Sequence, residues 1–358
     1  MNNKTITVLA VDDPAVRGYQ ALNIISDYEK KTGQAVDFEV VSWEKYGEMY
    51  NEILLGKKIY DIFMVAGHLW LPELLAKELV VPLLVPKEEL LEKILDEITV
   101  ENKQYLSPSF CDGHLFVYRK KYFEEHGLNL PKKHVTVTEI SEWAQSLALL
   151  INKPPIAMKS TPSELFLDIL PYLRTIGGEP ISEEGEPINN FTQLDKGIAL
   201  YKKMLELAGP LQSSLGNEEV KNSIQQDEVV MAITWNGQMG DIYTEKCLRK
   251  EELSFSTIAN SWNVTWSFAI HSASAQKEKA QDFLNFLLSR EIADLIGNFS
   301  GSPVLKPVSE TQISLYPWYL EHYQLVSRIA QQLPKSTKLG KSMDLITKYV
   351  IDKLKERV

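Results

Sequence analysis

The sequence predicts an α/β protein with two lobes, and three observations support this prediction. In the first third of the chain, short apolar strands alternate with amphipathic helices, an order typical of a parallel sheet with right-handed crossovers. The chain has 358 residues, more than the roughly 250–300 at which one hydrophobic core stops growing. Its 44% apolar and 24% charged residues are typical of a soluble globular protein.

The first three strands are predicted at residues 6–11, 36–40 and 60–65, from apolar or alternating runs. Each is followed by a loop with polar or aromatic side chains. Ligands of such sheets bind outside the carboxyl ends of the strands. The residues that follow these strands are therefore candidate ligand contacts, and they include Asp13, Arg17, Trp43, Glu44, His68 and Trp70.

Two helices are predicted between these strands from apolar residues at helical spacing. The first carries Ala21, Ile24, Ile25 and Tyr28, which recur at i, i+3, i+4 and i+7 and form one apolar stripe. The second runs from residue 46 to residue 54. Gly33 and Gly56 follow these helices, and glycine readily adopts the left-handed conformation that ends a helix.

The rest of the chain continues the α/β pattern. Thr136 or Thr138 is the candidate N-cap of a helix that extends to residue 150. The other predicted elements are an extended segment at 105–117, a short helix at 118–127, a surface loop at 177–190, a helix at 192–207, strands at 229–234 and 268–270, a helix at 279–296, and a mostly helical final forty residues.

Composition excludes several classes of partner. The net charge of −10 disfavours binding to nucleic acid or to anionic membranes, because both need clustered Lys and Arg. Small neutral or cationic ligands remain open. No apolar run approaches the roughly 20 residues of a membrane span. Cys111 and Cys247 are far apart and in no metal-binding spacing, so we expect two buried free thiols.

Motifs for catalysis and for cofactors are missing from the sequence. It contains no GxSxG, HExxH, GxGxxG or EF-hand pattern. Gly340 opens a Gly-Lys-Ser sequence, but Lys335 occupies the position where a phosphate-binding loop needs glycine. His68 and His114 could act as metal ligands or bases, but we expect hydrogen-bonding groups, because a metal site needs several converging ligands. We predict no catalytic residue, no cofactor and no metal.

Tryptophans are concentrated at or just after predicted strands. Flat rings at such positions can stack on the apolar faces of sugars while nearby polar groups bind the hydroxyls. Burial in the core is the alternative for each ring. The residues concerned are Trp43, Trp70, Trp235, Trp262 and Trp266.

Several segments resemble, in order, the extracellular solute-binding proteins of ABC importers, in the maltose-binding-protein-like group. They cover almost the whole chain. The segments are Lys31-Thr32-Gly33, Tyr60-Asp61-Ile62-Phe63-Met64-Val65, Trp70-Leu71-Pro72-Glu73-Leu74, Val81-Pro82-Leu83, Leu115-Phe116-Val117-Tyr118-Arg119-Lys120, Gly177-Gly178, Val230 to Gly237, Lys279 to Leu287, and Gly301-Ser302-Pro303-Val304.

The resemblance implies the two-lobe periplasmic-binding-protein-like fold, in which each lobe is a mixed, mostly parallel sheet flanked by helices and the ligand lies in a cleft between the lobes. It places residues 1–110 and 264–312 in the N-terminal lobe and residues 111–263 and 313–358 in the C-terminal lobe, with hinge crossovers near 110, 263 and 312. Solute binding would close the lobes, and a membrane permease would recognise the closed form. We expect a monomer that is not an enzyme.

Carried over position by position, the resemblance adds further contacts to those after the first three strands. They are Asp112, His114, Glu164, Trp235, Asn236, Gln238, Trp262 and Trp266. Gly67 and His68 stand where many sugar binders of this group carry an acidic residue, and Met239 stands where several carry tryptophan. A sugar or oligosaccharide is the first expectation for the solute, and a polyamine or an amino-acid derivative is the alternative.

Two other functions remain open. One is an intracellular ligand sensor with the same fold, and the other is an enzyme built on this frame. For a transport receptor, we expect a location at the extracellular face or in the periplasm, with or without a lipid anchor, and an export signal that is absent from this sequence. A cytoplasmic location is the alternative.

Overall fold

The computed structural model describes residues 5–209 and 215–356. Met1 and Val358, which bound the predicted lobes, lie outside these ranges. The described strands are β1 Ile6–Val11, β2 Val36–Val41, β3 Ile62–Ala66, β4 Thr99–Val100, β5 Lys103–Gln104, β6 Ser107–Arg119, β7 His134–Val135, β8 Ile156–Met158, β9 Met231–Trp235, β10 Leu253–Ile258 and β11 Asn263–Ile270.

The α-helices alternate with the strands in the first half of the chain and dominate its end. They are α1 Pro14–Ala21, α2 Ile24–Thr32, α3 Trp43–Leu54, α4 Gly67–Ala76, α5 Glu92–Ile98, α6 Lys120–Glu125, α7 Val137–Leu150, α8 Leu165–Tyr172, α9 Asp195–Ala208, α10 Asn217–Gln225, α11 Met239–Ile242, α12 Lys277–Leu287, α13 Arg290–Ser300, α14 Glu310–Ile313, α15 Tyr319–Gln324 and α16 Leu339–Lys355.

The chain divides into two compact units. Unit 1 contains Met1–Asp112 and Val264–Lys306, and unit 2 contains Gly113–Asn263 and Pro307–Val358. The chain therefore passes from one unit to the other three times. Two of these passages occur within strands, in β6 and at the start of β11. Residues 307–312, which the sequence assigns to the N-terminal lobe, group with unit 2.

Unit 1 is built on a mixed sheet in the order β2-β1-β3-β11. Strands β1, β2 and β3 are parallel, and β11 runs antiparallel to β3 with Trp266 opposite Ala66. The carboxyl ends of β1, β2 and β3 therefore meet at one edge of the sheet. Residues that follow these strands, including Asp13 and Trp43, are positioned by this edge.

Unit 2 is built on a second mixed sheet in the order β8-β9-β6-β10-β7. Strand β9 is parallel to β8 and antiparallel to β6, and β10 is antiparallel to β6 and parallel to β7. The register between β6 and β9 places His114 opposite Trp235. Residues directly opposite each other on neighbouring strands project from the same face of a sheet, so this register brings the two rings together.

Local sequence signals correctly predict several element boundaries. Strand β1 has the predicted bounds, and Gly33 ends α2 in the left-handed conformation with a φ of 71°. Thr136, one of the two candidate N-caps, caps α7 in a capping box. Its hydroxyl accepts a hydrogen bond from the Glu139 amide, and the Glu139 carboxylate accepts one from the Thr136 amide at 2.7 Å. Both orphan donors are thus satisfied.

Two predicted helices are each broken into two. The apolar stripe from Ala21 to Tyr28 spans the end of α1 and most of α2, because Asn23 between them adopts a left-handed φ of 56°. Asparagine tolerates this conformation better than most residues. The helix predicted at 279–296 divides into α12 and α13, because Ser289 is extended. Periodicity alone does not detect such single-residue breaks.

Two predicted loops are also helical. Trp43 is the first residue of α3, and its predecessor Ser42 caps that helix. Gly67, His68 and Trp70 belong to α4, which starts immediately after β3. These aromatic side chains are therefore held by the first turns of helices instead of by loops. No helix within the described residues is both long enough and apolar enough to cross a bilayer.

The capping box generates a prediction for stability. Replacing Thr136 by Ala should lower the free energy of unfolding by about 1 kcal/mol, because the Glu139 amide at the start of α7 loses its hydroxyl acceptor. Thr138→Ala is the matched control, because Thr138 is exposed within the helix and caps nothing. Urea unfolding of both variants measures the difference, and equal values for the two would contradict the assignment of the cap.

Candidate functional site

A buried carboxylate organises a polar cluster in unit 2. Oδ1 of Asp168, on α8, accepts a hydrogen bond from Nε1 of Trp235 at 2.9 Å and lies 3.2 Å from Nε2 of His114. All three residues are buried. The pairing of β6 with β9 supplies the two rings side by side, and α8 supplies the carboxylate. In the sequence, Asp168 lies 54 positions after His114 and 67 positions before Trp235.

The protonation states of this cluster follow from its surroundings. Burial lowers the pKa of His114 and outweighs the opposite effect of Asp168. Burial alone would raise the pKa of Asp168, but the charge of Lys159 and the hydrogen bonds from His114 and Trp235 outweigh it and lower the pKa. Asp168 is therefore a carboxylate and His114 a neutral imidazole at pH 7. With Nε2 donating to Asp168, Nδ1 of His114 is an acceptor.

A buried lysine completes the cluster. Lys159 directly follows β8, and its side chain is 1% exposed. Its Nζ lies 2.6 Å from Oε2 of Glu164 and 3.1 Å from the centre of the Trp235 ring. Such cation–π contacts contribute about 2 kcal/mol when they are shielded from water. Tyr201 fixes the backbone here, because its hydroxyl donates to the Lys159 carbonyl at 2.9 Å.

Two buried acceptors of this cluster have no hydrogen-bond partner among the described residues. They are Oδ2 of Asp168 and Nδ1 of His114. The ammonium of Lys159 is paired with Glu164 and carries two further N–H donors. Buried polar groups in proteins are nearly always hydrogen-bonded, and each exception requires an explanation. A polar molecule bound at this cluster would satisfy both acceptors.

Trp262 supports the cluster from the interior. It is buried, its Nε1 donates to the Leu167 carbonyl at 2.6 Å, and its ring lies 5.1 Å from that of Trp235 with the planes at 88°. Gly113 permits this packing, because a Cβ there would lie 2.6 Å from the Trp262 carbonyl oxygen. The structure therefore places Trp262 behind Trp235 as a support.

The other predicted residues of unit 2, and Asp112 at the end of unit 1, are also buried. Nδ2 of Asn236 lies 2.6 Å from Nδ1 of His322, and neither side chain is exposed. Gln238 follows in the same turn and is buried. Asp112 is buried in β6.

An aromatic cluster forms in unit 1 from the three predicted tryptophans. The rings of Trp43 and Trp70 are nearly parallel at 6.1 Å, and Trp266 meets them edge-on at 5.1 and 5.4 Å. Tyr50 stacks on Trp70 at 4.3 Å, and the Tyr46 hydroxyl donates to the Met64 carbonyl in β3. Trp43 is 47% exposed, so this cluster offers one ring to a ligand.

Asp13 and Arg17 have different surroundings at the start of α1. Asp13 is buried and caps the helix by accepting a hydrogen bond from the Val16 amide at 2.7 Å. Burial raises the pKa of Asp13 to about 7. Nε of Arg17 is paired with the exposed Asp12 at 2.8 Å. Glu44, in the first turn of α3, is exposed.

His68 lies inside unit 1. Its Nδ1 is 2.8 Å from Oε1 of Glu97, and both side chains have no exposed surface. A direct ligand contact would require this ring to move, so we regard His68 as a group that positions α4 against α5. Within the described ranges, no three His, Cys, Asp or Glu side chains converge in a way that could hold a metal ion. Cys111 and Cys247 are buried thiols that form no disulfide within the described ranges.

The sequence analysis missed six residues of these clusters. Asp168 is the only charged residue in the apolar sequence of α8, and Lys159 directly follows an apolar strand. A charged residue in an apolar segment is a sequence feature that could have identified both. Tyr46 and Tyr50 belong to the predicted apolar stripe of α3, where nothing distinguishes them from core residues. Glu97 and His322 carried no local signal.

Comparison with known proteins places this chain among transport receptors. Residues 13–294 match the family described as bacterial extracellular solute-binding protein. A probable amino-acid ABC transporter periplasmic-binding protein of Sinorhizobium fredii is 22% identical over 307 residues, which are 80% of this chain and 69% of that protein. A mannitol-binding protein of Pseudomonas aeruginosa is 23% identical over 237 residues, 62% of this chain and about half (53%) of that relative.

The fold also has solved counterparts. The maltose-bound MalE3 of T. maritima matches with a TM-score of 0.84 at 18% sequence identity, over 98% of this chain and 94% of its own. This similarity confirms the predicted two-lobe α/β fold. At this identity it does not transfer a ligand to the present chain.

The buried Asp13 generates a prediction for pH dependence. Because its pKa rises from 3.8 to about 7 on folding, the folded state retains a proton that the unfolded state releases, and stability should fall as the pH rises from 4 to 7. Each pKa unit corresponds to roughly 1.4 kcal/mol, so the total effect is a few kcal/mol. In Asp13→Asn, the amide oxygen can still accept the hydrogen bond of the cap, but the side chain no longer titrates. The variant should therefore lose this pH dependence of stability.

Denaturant unfolding at several pH values measures the effect. The difference in unfolding free energy between Asp13→Asn and the wild type should grow from pH 4 to pH 7, with the variant more stable at the higher pH. Asp12→Asn is the control, because Asp12 is an exposed neighbour, and it should leave most of the slope in place. Parallel pH profiles for the wild type and Asp13→Asn would contradict the prediction.

Proposed function

Because this chain belongs to the bacterial extracellular solute-binding protein family, we propose that it binds a small polyhydroxy solute, a sugar or a sugar alcohol, for an ABC importer. The family relationship confirms the resemblance found in the sequence. It also gives a small-molecule solute and a membrane permease as the partners. The observation that supports the choice of solute is the pair of unpartnered acceptors, Oδ2 of Asp168 and Nδ1 of His114, in the same cluster as the Lys159 ammonium.

These atoms match the hydrogen-bonding properties of hydroxyl groups. A hydroxyl donates one hydrogen bond and accepts others. Adjacent hydroxyls of a sugar could donate to Oδ2 of Asp168 and Nδ1 of His114 while accepting from Nζ of Lys159. Hydrogen bonds to charged groups are stronger than neutral ones, and buried groups left unpaired cost about 1–3 kcal/mol each. A polyhydroxy solute therefore gains from pairing both unpartnered acceptors and from a further hydrogen bond to the Lys159 ammonium.

The aromatic cluster of unit 1 supports the same class of solute. The exposed Trp43 ring is backed by Trp70 and Trp266, which fixes its orientation. A fixed flat ring suits the apolar face of a pyranose or the carbon chain of a polyol. We propose Trp43 as the stacking contact, and Asp13, Arg17 and Glu44 as polar groups of the same sheet edge.

The related proteins support the same class of solute and suggest one alternative class. The mannitol-binding relative and the maltose-bound structural neighbour support a polyol or a sugar. The relative named for amino-acid transport supports an amino-acid derivative as a second candidate. In that case the solute carboxylate would pair with the ammonium of Lys159.

We place the protein outside the cytoplasmic membrane, as the family description states, and propose that it acts as a monomer. The related proteins are solute-binding proteins, so no catalytic step is assigned to Asp168 or His114. Their role is to present fixed acceptors. The aromatic rings would supply the apolar part of the contact.

A thermal-shift screen of the whole chain tests the class of solute. It should include monosaccharides, oligosaccharides, sugar alcohols, amino acids and polyamines. A ligand at 100 times its dissociation constant adds about 2.7 kcal/mol to stability, which raises the melting temperature by several degrees. We expect a response from a sugar or a sugar alcohol. A response from amino acids alone would replace the first candidate by the second.

Affinity measurements on variants then test the residues. By titration calorimetry with the identified solute, Trp43→Ala and Asp168→Asn should each weaken binding by about tenfold or more, which corresponds to about 1.4 kcal/mol. Trp143→Phe is the control, because Trp143 packs on Phe116 in unit 2 and belongs to neither cluster. Unchanged affinity in both test variants would show that the solute binds elsewhere.

A further inference from the structure

We propose that Lys159 is an internal cation that occupies an ammonium-binding site formed by Trp235 and Glu164, and that it thereby restricts the solute to neutral or anionic groups at this position. The consequence for solute choice rests on the proposed function. The occupation of the site by Lys159 does not depend on it. Nothing in the sequence pattern assigned Lys159 a role.

The surroundings of the Lys159 ammonium are those of a site for an alkylammonium ion. An aromatic face lies 3.1 Å below it and a carboxylate oxygen lies 2.6 Å away. Proteins bind organic ammonium ions by placing aromatic faces around them. Nζ pairs with Glu164, which occupies one of its three N–H donors. The other two N–H donors are available to an acceptor on a solute.

Two anchors hold the lysine in this site. Its carbonyl accepts a hydrogen bond from the buried Tyr201, and strand β8 pairs with β9 in a register that places Met158 beside Ile233. Lys159 is the residue directly after β8, and Trp235 is the last residue of β9. The cation and the ring are thus brought together by strand pairing, and the side chain is buried where it lies.

The position of Lys159 argues against a cationic solute, which the acidic composition of the chain would favour. A net charge of −10 favours cationic solutes in general. At this cluster, however, the two carboxylates already have a cation, and a second ammonium nearby would be repelled by the first. Polyamines are therefore disfavoured here. Lys159 covers the face of the Trp235 ring, so Trp235 contributes only its N–H group, which binds Asp168. Stacking on a sugar is therefore assigned to Trp43.

Chemical rescue tests the ammonium site directly. Lys159→Ala removes three side-chain carbons and the ammonium, which n-propylammonium reproduces. Adding n-propylammonium chloride should raise the melting temperature of this variant by a few degrees in a saturable manner. 1-Propanol fills the same volume without charge, and sodium chloride matches the ionic strength. Neither should give the saturable rise.

Matched variants isolate the effect. The wild type and Lys159→Met, in which an apolar side chain fills the site, should show no saturable response to n-propylammonium. Lys203→Ala removes an exposed lysine of α9 and should also show none. An equal response to 1-propanol, or an equal response in the wild type, would overturn the proposal.

A measurement on the wild type covers the case in which Lys159→Ala does not fold. In protein labelled with ¹³C at the lysine ε-carbons, one ε-methylene signal should lie upfield of all other lysine signals, because it sits over an indole ring. This signal should disappear in Lys159→Arg. Absence of any shifted lysine signal would overturn the proposal. Neither of these tests uses a solute. If no sugar responds in the thermal-shift screen, the ammonium site can still be confirmed, and if the n-propylammonium rescue fails, the proposed solute class can still be confirmed.

Discussion

The candidate site of unit 2 depends on one interaction, the buried Asp168 carboxylate shared by Trp235 and His114. A carboxylate in the interior is costly unless hydrogen bonds and a nearby cation compensate for lost hydration. Here the indole and imidazole N–H groups and the charge of Lys159 provide that compensation. The arrangement fixes the orientation of both rings, and burial keeps His114 neutral. It also leaves Oδ2 of Asp168 and Nδ1 of His114 without a partner among the described residues, so both acceptors are available to a polar solute.

The two units hold their candidate groups in different ways. Unit 1 presents an exposed indole held by other aromatic rings, and its orientation comes from packing at the ends of β3 and β11. Unit 2 presents charged and polar atoms held by hydrogen bonds. Apolar contact tolerates small changes of position, whereas hydrogen bonds require defined distances and angles. The candidate groups of unit 2 therefore depend more strongly on exact positioning than those of unit 1.

The charges near the Asp168 cluster show why overall charge is a poor guide to solute choice. The chain is acidic, yet a lysine with 1% exposure lies at this cluster. Charges on the surface are screened by water and salt, whereas a buried ammonium acts at short range with little screening. A single buried cation can therefore determine which groups a solute presents there, whatever the total charge of the surface.

The sequence by itself determined the alternation of strands and helices in the first third of the chain, both ends of β1, the end of α2, two candidate caps for α7 and the membership of the family. These depend on local periodicity, on capping residues and on segments in a fixed order. The tertiary structure decided the rest. Asp168, His114 and Lys159 have no neighbours in sequence that link them, and they meet only because β8, β9 and β6 pair in one register and α8 packs beside them. Strand pairing between distant segments follows from the burial of whole sheet faces, which no short stretch of sequence specifies.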